Sequence, residues 1–75
     1  MIENNKLLKR RKLFIWRVVA LDLTQKQMAE KLGVTRSYYN QIERGLNDGG
    51  NAFWKSLQET FNLTNKEIRK YRELS

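Results

Sequence analysis

Apolar residues recur along this chain at intervals of three and four positions, the spacing of one face of an α-helix. No stretch shows the strict apolar–polar alternation that predicts a half-buried strand. The first periodic stretch predicts a helix over about residues 6–21. Its apolar side is expected to face the core and carries Leu8, Ile15, Val18 and Val19, with Phe14 flanking them.

Local start and stop signals predict the next two helices. Thr24 and Gln27 have the spacing of a capping box, which predicts a second helix over about 25–32. Its inward positions are expected to be Met28, Ala29 and Leu32. Thr35 can cap a third helix over about 36–44, and Gly45 follows where a helix commonly ends.

Two shorter predictions complete the pattern. Asn51 is expected to cap a fourth helix, whose core positions are Phe53, Trp54, Leu57 and Phe61. Thr64 and Glu67 form a second capping box before a fifth helix that carries Ile68 and Tyr71. With 75 residues and no linker or repeat, the chain is expected to form one all-α domain of about five short helices, spanning residues 1–75.

The break between the second and third helices is only Gly33 and Val34. A glycine allows the positive φ that a tight turn between two helices requires. Two short helices joined in this way predict a helix-turn-helix over residues 25–45. The small Ala29 lies where the two helices would cross, and Val34 and Ile42 are apolar positions expected to pack inward.

Projected at 100° per residue, the third helix has two unlike sides. Its polar stripe holds Ser37, Asn40, Gln41 and Arg44, with Arg36 and Tyr38 on the flanks, whereas Tyr39 and Ile42 lie opposite. Amide, hydroxyl and guanidinium groups pair with base edges: Asn or Gln with adenine, Arg with guanine, and Ser with either. The alternative is an ordinary solvated face, although such a face more often carries Glu and Lys.

The charge is positive and unevenly placed. The chain has 15 Lys and Arg against 8 Asp and Glu, and residues 1–17 alone carry a net charge of +5. A basic segment on a helical body indicates a polyanionic partner, either nucleic acid or an anionic membrane surface. The basic run at residues 9–12 is interpreted either as a phosphate-binding arm or as a solvated, solubilising face.

The composition also restricts the kinds of chemical site that the chain can form. Without cysteine or histidine the chain has no disulfides, no Cys/His metal site and no Cys–His or Ser–His nucleophile pair, so we expect no metal, no cofactor and no enzymatic activity. No apolar run approaches the ~20 residues of a membrane span. The expected location is the bacterial cytosol or nucleoid.

The spacing Gln25-x₃-Ala29-x₃-Gly33-Val34-x₇-Ile42-Glu43-x-Gly45 resembles the helix-turn-helix of the phage-repressor (Cro/Xre-like) DNA-binding family. The resemblance covers about residues 7–68 and implies a lambda-repressor-like bundle of about five helices. It also implies that the third helix enters the major groove of double-stranded DNA.

The resemblance implies a role for individual residues. The base readers would be Arg36, Ser37 and Gln41, together with Asn40. Gln25 would contact a phosphate and Arg44 would lie near the backbone. Apart from the resemblance, the helical projection places Tyr38 at the flank of the interface, and the basic run makes Lys9 and Arg10 candidates there. Glu43 would pair with Arg17 and fix the angle between helices, although Arg17 lies one residue further from Gln25 than is usual in the family.

Two positions depart from the family pattern. Tyr39 replaces a buried aliphatic residue, so its hydroxyl needs a partner. The loop after Gly45 lacks the frequent proline and holds Asp48, Gly49 and Gly50, whose glycine amides are candidate phosphate ligands. Trp16 lies off the apolar side of the first helix, so three interpretations stay open: exposure, covering the N-terminal arm, or contact with a partner subunit.

The favoured function is a sequence-specific transcriptional regulator, repressor-like and of phage or mobile-element type, acting as a homodimer on a palindromic site. An antitoxin or another protein-interaction module on the same fold is the alternative. A third hypothesis is an amphipathic basic helix at residues 6–21 on an anionic membrane. The operator, the target genes, the dimer interface and the choice between activation and repression are open at this stage.

Overall fold

The computed structural model describes residues 8–75, which form helices joined by short turns. Helix α1 spans Arg11–Ile15 and continues directly into a π-helical turn, Trp16–Ala20; we call residues 11–20 the first helix. It is followed by α2 (Gln25–Leu32), α3 (Arg36–Glu43), α4 (Gly50–Phe61) and α5 (Asn65–Arg72). The described part of the chain contains no strand, and the predicted all-α fold of five helices is confirmed.

Local capping sets where three helices begin. The capping boxes of Thr24 with Gln27 and of Thr64 with Glu67 are both complete, and the Thr35 side chain accepts a hydrogen bond from the Tyr38 amide at 3.0 Å. Gly33 ends α2 with φ at 71°, so the backbone turns there into α3 as predicted. These signals act within one helical turn, which is why the sequence alone reveals them.

The start of α4 differs from the prediction that Asn51 caps it. The helix begins at Gly50, and the preceding residue, Gly49, has φ at 87°. The side chains of Asn47 and Asp48 accept hydrogen bonds from the amides of Gly49 and Gly50. These Asx-type turns satisfy the amides at the start of the helix, which begins two residues earlier than expected.

The core lies between α2, α3 and α4 and is closed by the first helix and α5. Its buried apolar side chains are Leu13, Met28, Ala29, Leu32, Tyr39, Ile42, Phe53, Trp54, Leu57 and Tyr71. Val34, Phe61 and Ile68 are partly buried and pack against this cluster.

The face predicted for the first helix is wrong. Leu8, Phe14, Ile15, Val18 and Val19 are all exposed, Val19 to 75%. The buried positions of this segment are instead Arg10, Leu13 and Arg17.

The predicted start of this helix is also wrong over the described residues. Residues 8–10 are not helical, and the remainder of the predicted start, residues 6 and 7, lies outside the described part of the chain. The backbone of Lys9 exchanges two hydrogen bonds with Ser75, and the Arg10 amide donates to the carbonyl of Glu43. These long-range bonds take the place of a further helical turn.

The π-helical turn explains the unusual spacing between Arg17 and Gln25. The amide of Leu21 donates to the carbonyl of Trp16 at 3.0 Å, five residues earlier, so this turn holds one residue more than an α-helical turn. Arg17 stays in the buried position although the segment that follows it is one residue longer. The extra residue is therefore absorbed inside the helix.

Trp16 closes the gap between the first helix and the C-terminal half. Its ring stacks on Tyr71 with centroids 4.5 Å apart and meets the edge of Phe61 at 5.1 Å. It is half-buried, so the first of the three interpretations, exposure, is wrong, and within the described residues it packs against α4 and α5. Within residues 8–75, no helix is long and apolar enough to cross a membrane.

Candidate DNA interface

Helix α3 presents a polar side to solvent. Arg36, Ser37, Gln41 and Arg44 are exposed and Asn40 is half-buried, whereas Tyr39, Ile42 and Glu43 are buried on the opposite side. The two adjacent tyrosines therefore point as expected, with Tyr39 in the core and Tyr38 at the edge. The only acidic residue of α3, Glu43, is turned away from the exposed side.

Glu43 is the centre of a buried polar network beneath α3. Its carboxylate forms two hydrogen bonds with the Arg17 guanidinium, at 2.8 and 2.9 Å. It also accepts from the Tyr39 hydroxyl at 2.7 Å and from Gln25 Nε2 at 3.1 Å. The predicted ion pair with Arg17 is thus present, and Tyr39 has the partner that its buried hydroxyl requires.

These contacts determine the ionisation of the network. Burial by itself would raise the pKa of Glu43, but hydrogen bonds from Arg17, Tyr39 and Gln25 outweigh it and hold that pKa below its usual value. The hydrogen bond to Glu43 raises the pKa of Arg17 despite burial. Burial and the neighbouring carboxylate raise the pKa of Tyr39, so its hydroxyl remains a donor.

Gln25 links the start of α2 to this network. Its side-chain nitrogen, Nε2, donates to Glu43 and also to Asn40 Oδ1 at 3.0 Å. An amide group has two N–H donors, and both are therefore used inside the protein. The side-chain nitrogen of Gln25 therefore has no hydrogen left for the DNA phosphate that Gln25 was expected to contact.

A basic groove lies beside this network. It has a volume of about 400 Å³ and is lined by exposed Lys9, Arg11 and Arg44, by Gln25 and the ring of Phe14, and by the buried Arg10 and Glu43. No ion pair to these three cations is present among residues 8–75. Lys9 and Arg44 thus lie together, with Arg11 as a third cation that sequence reasoning did not single out.

Arg10 lines the same groove but differs from these three cations because its side chain is buried. It is 2% exposed, and its guanidinium donates to the carbonyls of Ile42, Asn47 and Arg72 at 2.7, 3.1 and 2.9 Å. Burial lowers the pKa of Arg10, partly offset by Asp48. Arg10 therefore joins three segments of the fold, and its guanidinium also contacts the Asp48 carboxylate at 3.5 Å.

The loop between α3 and α4 is held by its own side chains. Asp48 accepts a hydrogen bond from Arg72 at 2.6 Å, and Asn47 and Asp48 occupy the amides of Gly49 and Gly50. These glycine amides are thus not available to phosphates, contrary to the expectation from sequence. The Tyr38 hydroxyl donates to the Gly49 carbonyl at 3.1 Å, so Tyr38 braces this loop from the edge of α3.

Three features escaped sequence reasoning because they join distant segments: the bonds of Arg10, the stacking of Trp16 and the contact between Gln25 and Asn40. Nothing in the sequence around Arg10 and Gln25 indicated which groups inside the protein they would bond to. Among residues 8–75 there is no cluster of three Asp, Glu, His or Cys side chains that would hold a metal ion.

Comparison with known proteins supports this geometry. A family model described as "Helix-turn-helix" matches residues 14–48, from the first helix through the loop after α3. Searches of curated proteins and of solved structures gave no match. The matched segment includes both helices of the turn, the buried Arg17–Glu43 pair and the exposed side of α3. Residues 14–48 are therefore similar to a helix-turn-helix of the phage-repressor (Cro/Xre-like) type, a type of domain that binds DNA.

Proposed function

We propose that this chain is a sequence-specific transcriptional regulator that reads the major groove with α3. One observation carries the proposal: the exposed side of α3 holds guanidinium, hydroxyl and amide groups and no carboxylate. The acid of this helix is buried and neutralised by Arg17. A surface built in this way offers hydrogen bonds to base edges without repelling phosphates.

The residues divide into two groups in this proposal. Arg36, Ser37 and Gln41 read bases, and Asn40 lies beside them at the partly buried edge of the same side. Lys9, Arg11 and Arg44 neutralise phosphates alongside, which sets affinity and register rather than sequence preference. Tyr38 lies at the flank of the interface, where its hydroxyl supports the loop between α3 and α4.

We propose that the binding unit is a homodimer on a palindromic site. Helix α3 has only eight residues, so one copy meets a short stretch of one major groove. Two copies related by a two-fold axis would read two half-sites about one helical turn apart. Repression would then follow from occupancy, as in the phage and mobile-element repressors that the chain resembles. A binding role fits the absence of histidine and cysteine from the sequence.

The test is selection of bound sites from a random duplex library. The wild type should yield one palindromic consensus, and Gln41→Ala should flatten the preference at one position of each half-site at a cost of about 1–3 kcal/mol. Thr60→Ala, at an exposed position in the last turn of α4, serves as the control and should leave the consensus unchanged. A wild type that binds all duplexes equally would rule out the reading of sequence by α3. A consensus without two-fold symmetry would rule out the dimer.

A further inference from the structure

The donors and acceptors of the network beneath α3 have a fixed direction. Glu43 is ionised, held so by Arg17 and Tyr39, and an ionised carboxylate only accepts hydrogen bonds. The side-chain amide of Gln25 must therefore turn its nitrogen, not its oxygen, toward Glu43, and Nε2 lies 3.1 Å from Oε1. The orientation of Gln25 is thus determined by a charge.

This orientation passes on to Asn40. The second N–H of Gln25 Nε2 points at Asn40, and a donor there requires an acceptor opposite it. Asn40 meets that requirement with Oδ1 at 3.0 Å. Its oxygen is engaged within the protein, and no hydrogen bond from its amino group, Nδ2, is present among residues 8–75. The group that Asn40 turns away from Gln25 is therefore its amino donor, Nδ2.

We propose that Asn40 reads DNA as a donor only, with its polarity set by Glu43 through Gln25. The inference rests on the proposed function, since it concerns a base contact of α3. A donor in the major groove finds acceptors on guanine (O6 and N7), thymine (O4) and adenine (N7), whereas cytosine shows only an amino group there. The paired contact that asparagine makes with adenine needs its oxygen as well, and that oxygen is turned toward Gln25.

Gln25 is accordingly a positioning residue for specificity. It acts on the base pair through Asn40, because both of its own N–H groups are used by Glu43 and Asn40. This assignment distinguishes it from a phosphate ligand, whose loss lowers affinity on all sequences alike.

The experiment is site selection with four proteins: wild type, Asn40→Ala, Asn40→Asp and Gln25→Met. Asn40→Ala identifies the base position, since preference should be lost there alone. At that position the wild type should disfavour cytosine by on the order of 10-fold. Asn40→Asp keeps an oxygen for Gln25 and turns a second oxygen outward, so cytosine should become favoured.

Gln25→Met has a similar length and no donor, so it frees the Asn40 oxygen. Enrichment of adenine at the same position is then expected, with the preferences at the Gln41 position unchanged. Thermal melting of each variant confirms that it is folded before its sites are compared.

Two results would overturn the inference while the proposed function stands. One is a wild-type preference for adenine that Asn40→Ala removes and Gln25→Met leaves as it was. The other is an Asn40→Ala consensus identical to that of the wild type, while Gln41→Ala still flattens one position. If the wild type selects no consensus at all, it is the proposed function that fails.

Discussion

Glu43 connects stability and recognition at the scale of a single residue. Four hydrogen bonds reach its carboxylate, and they come from three separate places in the chain: the first helix, the start of α2 and α3 itself. A buried ion pair contributes less to stability than its distances suggest, because both charges lose their hydration. What the pair determines most clearly is the position of α3 against the first helix.

The low pKa of Glu43 predicts a loss of stability in acid. Because the folded state holds this pKa below the ordinary value of 4.5, its contribution is complete above about pH 4.5 and declines as the pH falls below it. The free energy of unfolding, measured by urea titration between pH 3 and 7, should decrease on the acid side.

Glu43→Gln should remove part of that decrease. It should also cost about 3–5 kcal/mol at pH 7, because Arg17 is left buried without its counter-charge. Glu30→Gln, at an exposed position on α2, is the control and should shift the free energy of unfolding by less than about 0.5 kcal/mol. Equal pH profiles for wild type and Glu43→Gln would contradict this prediction.

Two glycines with similar backbone angles should respond differently to alanine. Gly33 and Gly45 have φ at 71° and 77°, so alanine is strained at both, by about 1–2 kcal/mol. Around Gly33 there is nothing within 4 Å of an added Cβ, but at Gly45 that atom would overlap with the carbonyl oxygen of Leu8. Thermal or urea unfolding should therefore show a clearly larger loss for Gly45→Ala. Equal losses would mean that the segment at Leu8 moves aside freely.

At the scale of elements, prediction succeeded where the signal was local. The caps of α2, α3 and α5 and the turn at Gly33 depend on residues a few positions apart. The prediction of the buried face of the first helix was wrong, because that face depends on the segments that pack against the helix. Arg10 and Arg17 point inward where they find carbonyls and a carboxylate, and these partners come from distant segments.

The candidate site shows the same division. The exposed side of α3 followed from helical geometry alone, since neighbouring positions on the stripe are three or four residues apart. The internal bonds of Gln25 and the burial of Arg10 could not be predicted in this way. The sequence does not distinguish a polar side chain that binds a ligand from one that bonds to another part of the fold. The π-helical turn also makes the buried face of the first helix harder to predict, because a single period of 3.6 residues does not describe a helix that contains such a turn.

The first helix offers a paired test of its orientation. Leu13 is fully buried, and Leu13→Ala should cost about 2–5 kcal/mol of unfolding free energy. Val19 is 75% exposed, so Val19→Ala should change it by less than about 0.5 kcal/mol. Urea titration of both variants at one pH checks the difference. A larger loss for Val19→Ala would restore the orientation that the periodicity suggested.

At the scale of the molecule, the net charge of +7 is less informative than which charges have partners. Arg10, Lys12, Arg17 and Arg72 each contact an acid within the described residues. Lys9, Arg11 and Arg44, which line one groove, do not. These three cations lie together beside the end of α3, whereas other described cations without an ion pair, such as Lys26, Lys55 and Lys66, lie elsewhere on the chain.

Salt dependence of DNA affinity should distinguish paired from unpaired cations. Arg11→Ala should reduce the slope of log affinity against log salt by about 1, because one fewer phosphate-bound counterion is released. Its neighbour Lys12 forms an ion pair with Glu73, so Lys12→Ala should leave the slope nearly unchanged. Fluorescence titrations of a labelled duplex at four salt concentrations give both slopes. Equal effects of the two substitutions would contradict the assignment of the groove.

The bonds of Arg10 have a consequence for the order in which the protein matures. Its guanidinium reaches the carbonyl of Arg72, 62 residues further along the chain, as well as the end of α3. During synthesis the whole helix-turn-helix is complete before Arg72 is added. Until then a buried cation lacks one of its acceptors and the end of α3 lacks its final brace. We therefore expect the contacts that Arg10 makes with the end of α3 to be complete only when α5 has docked.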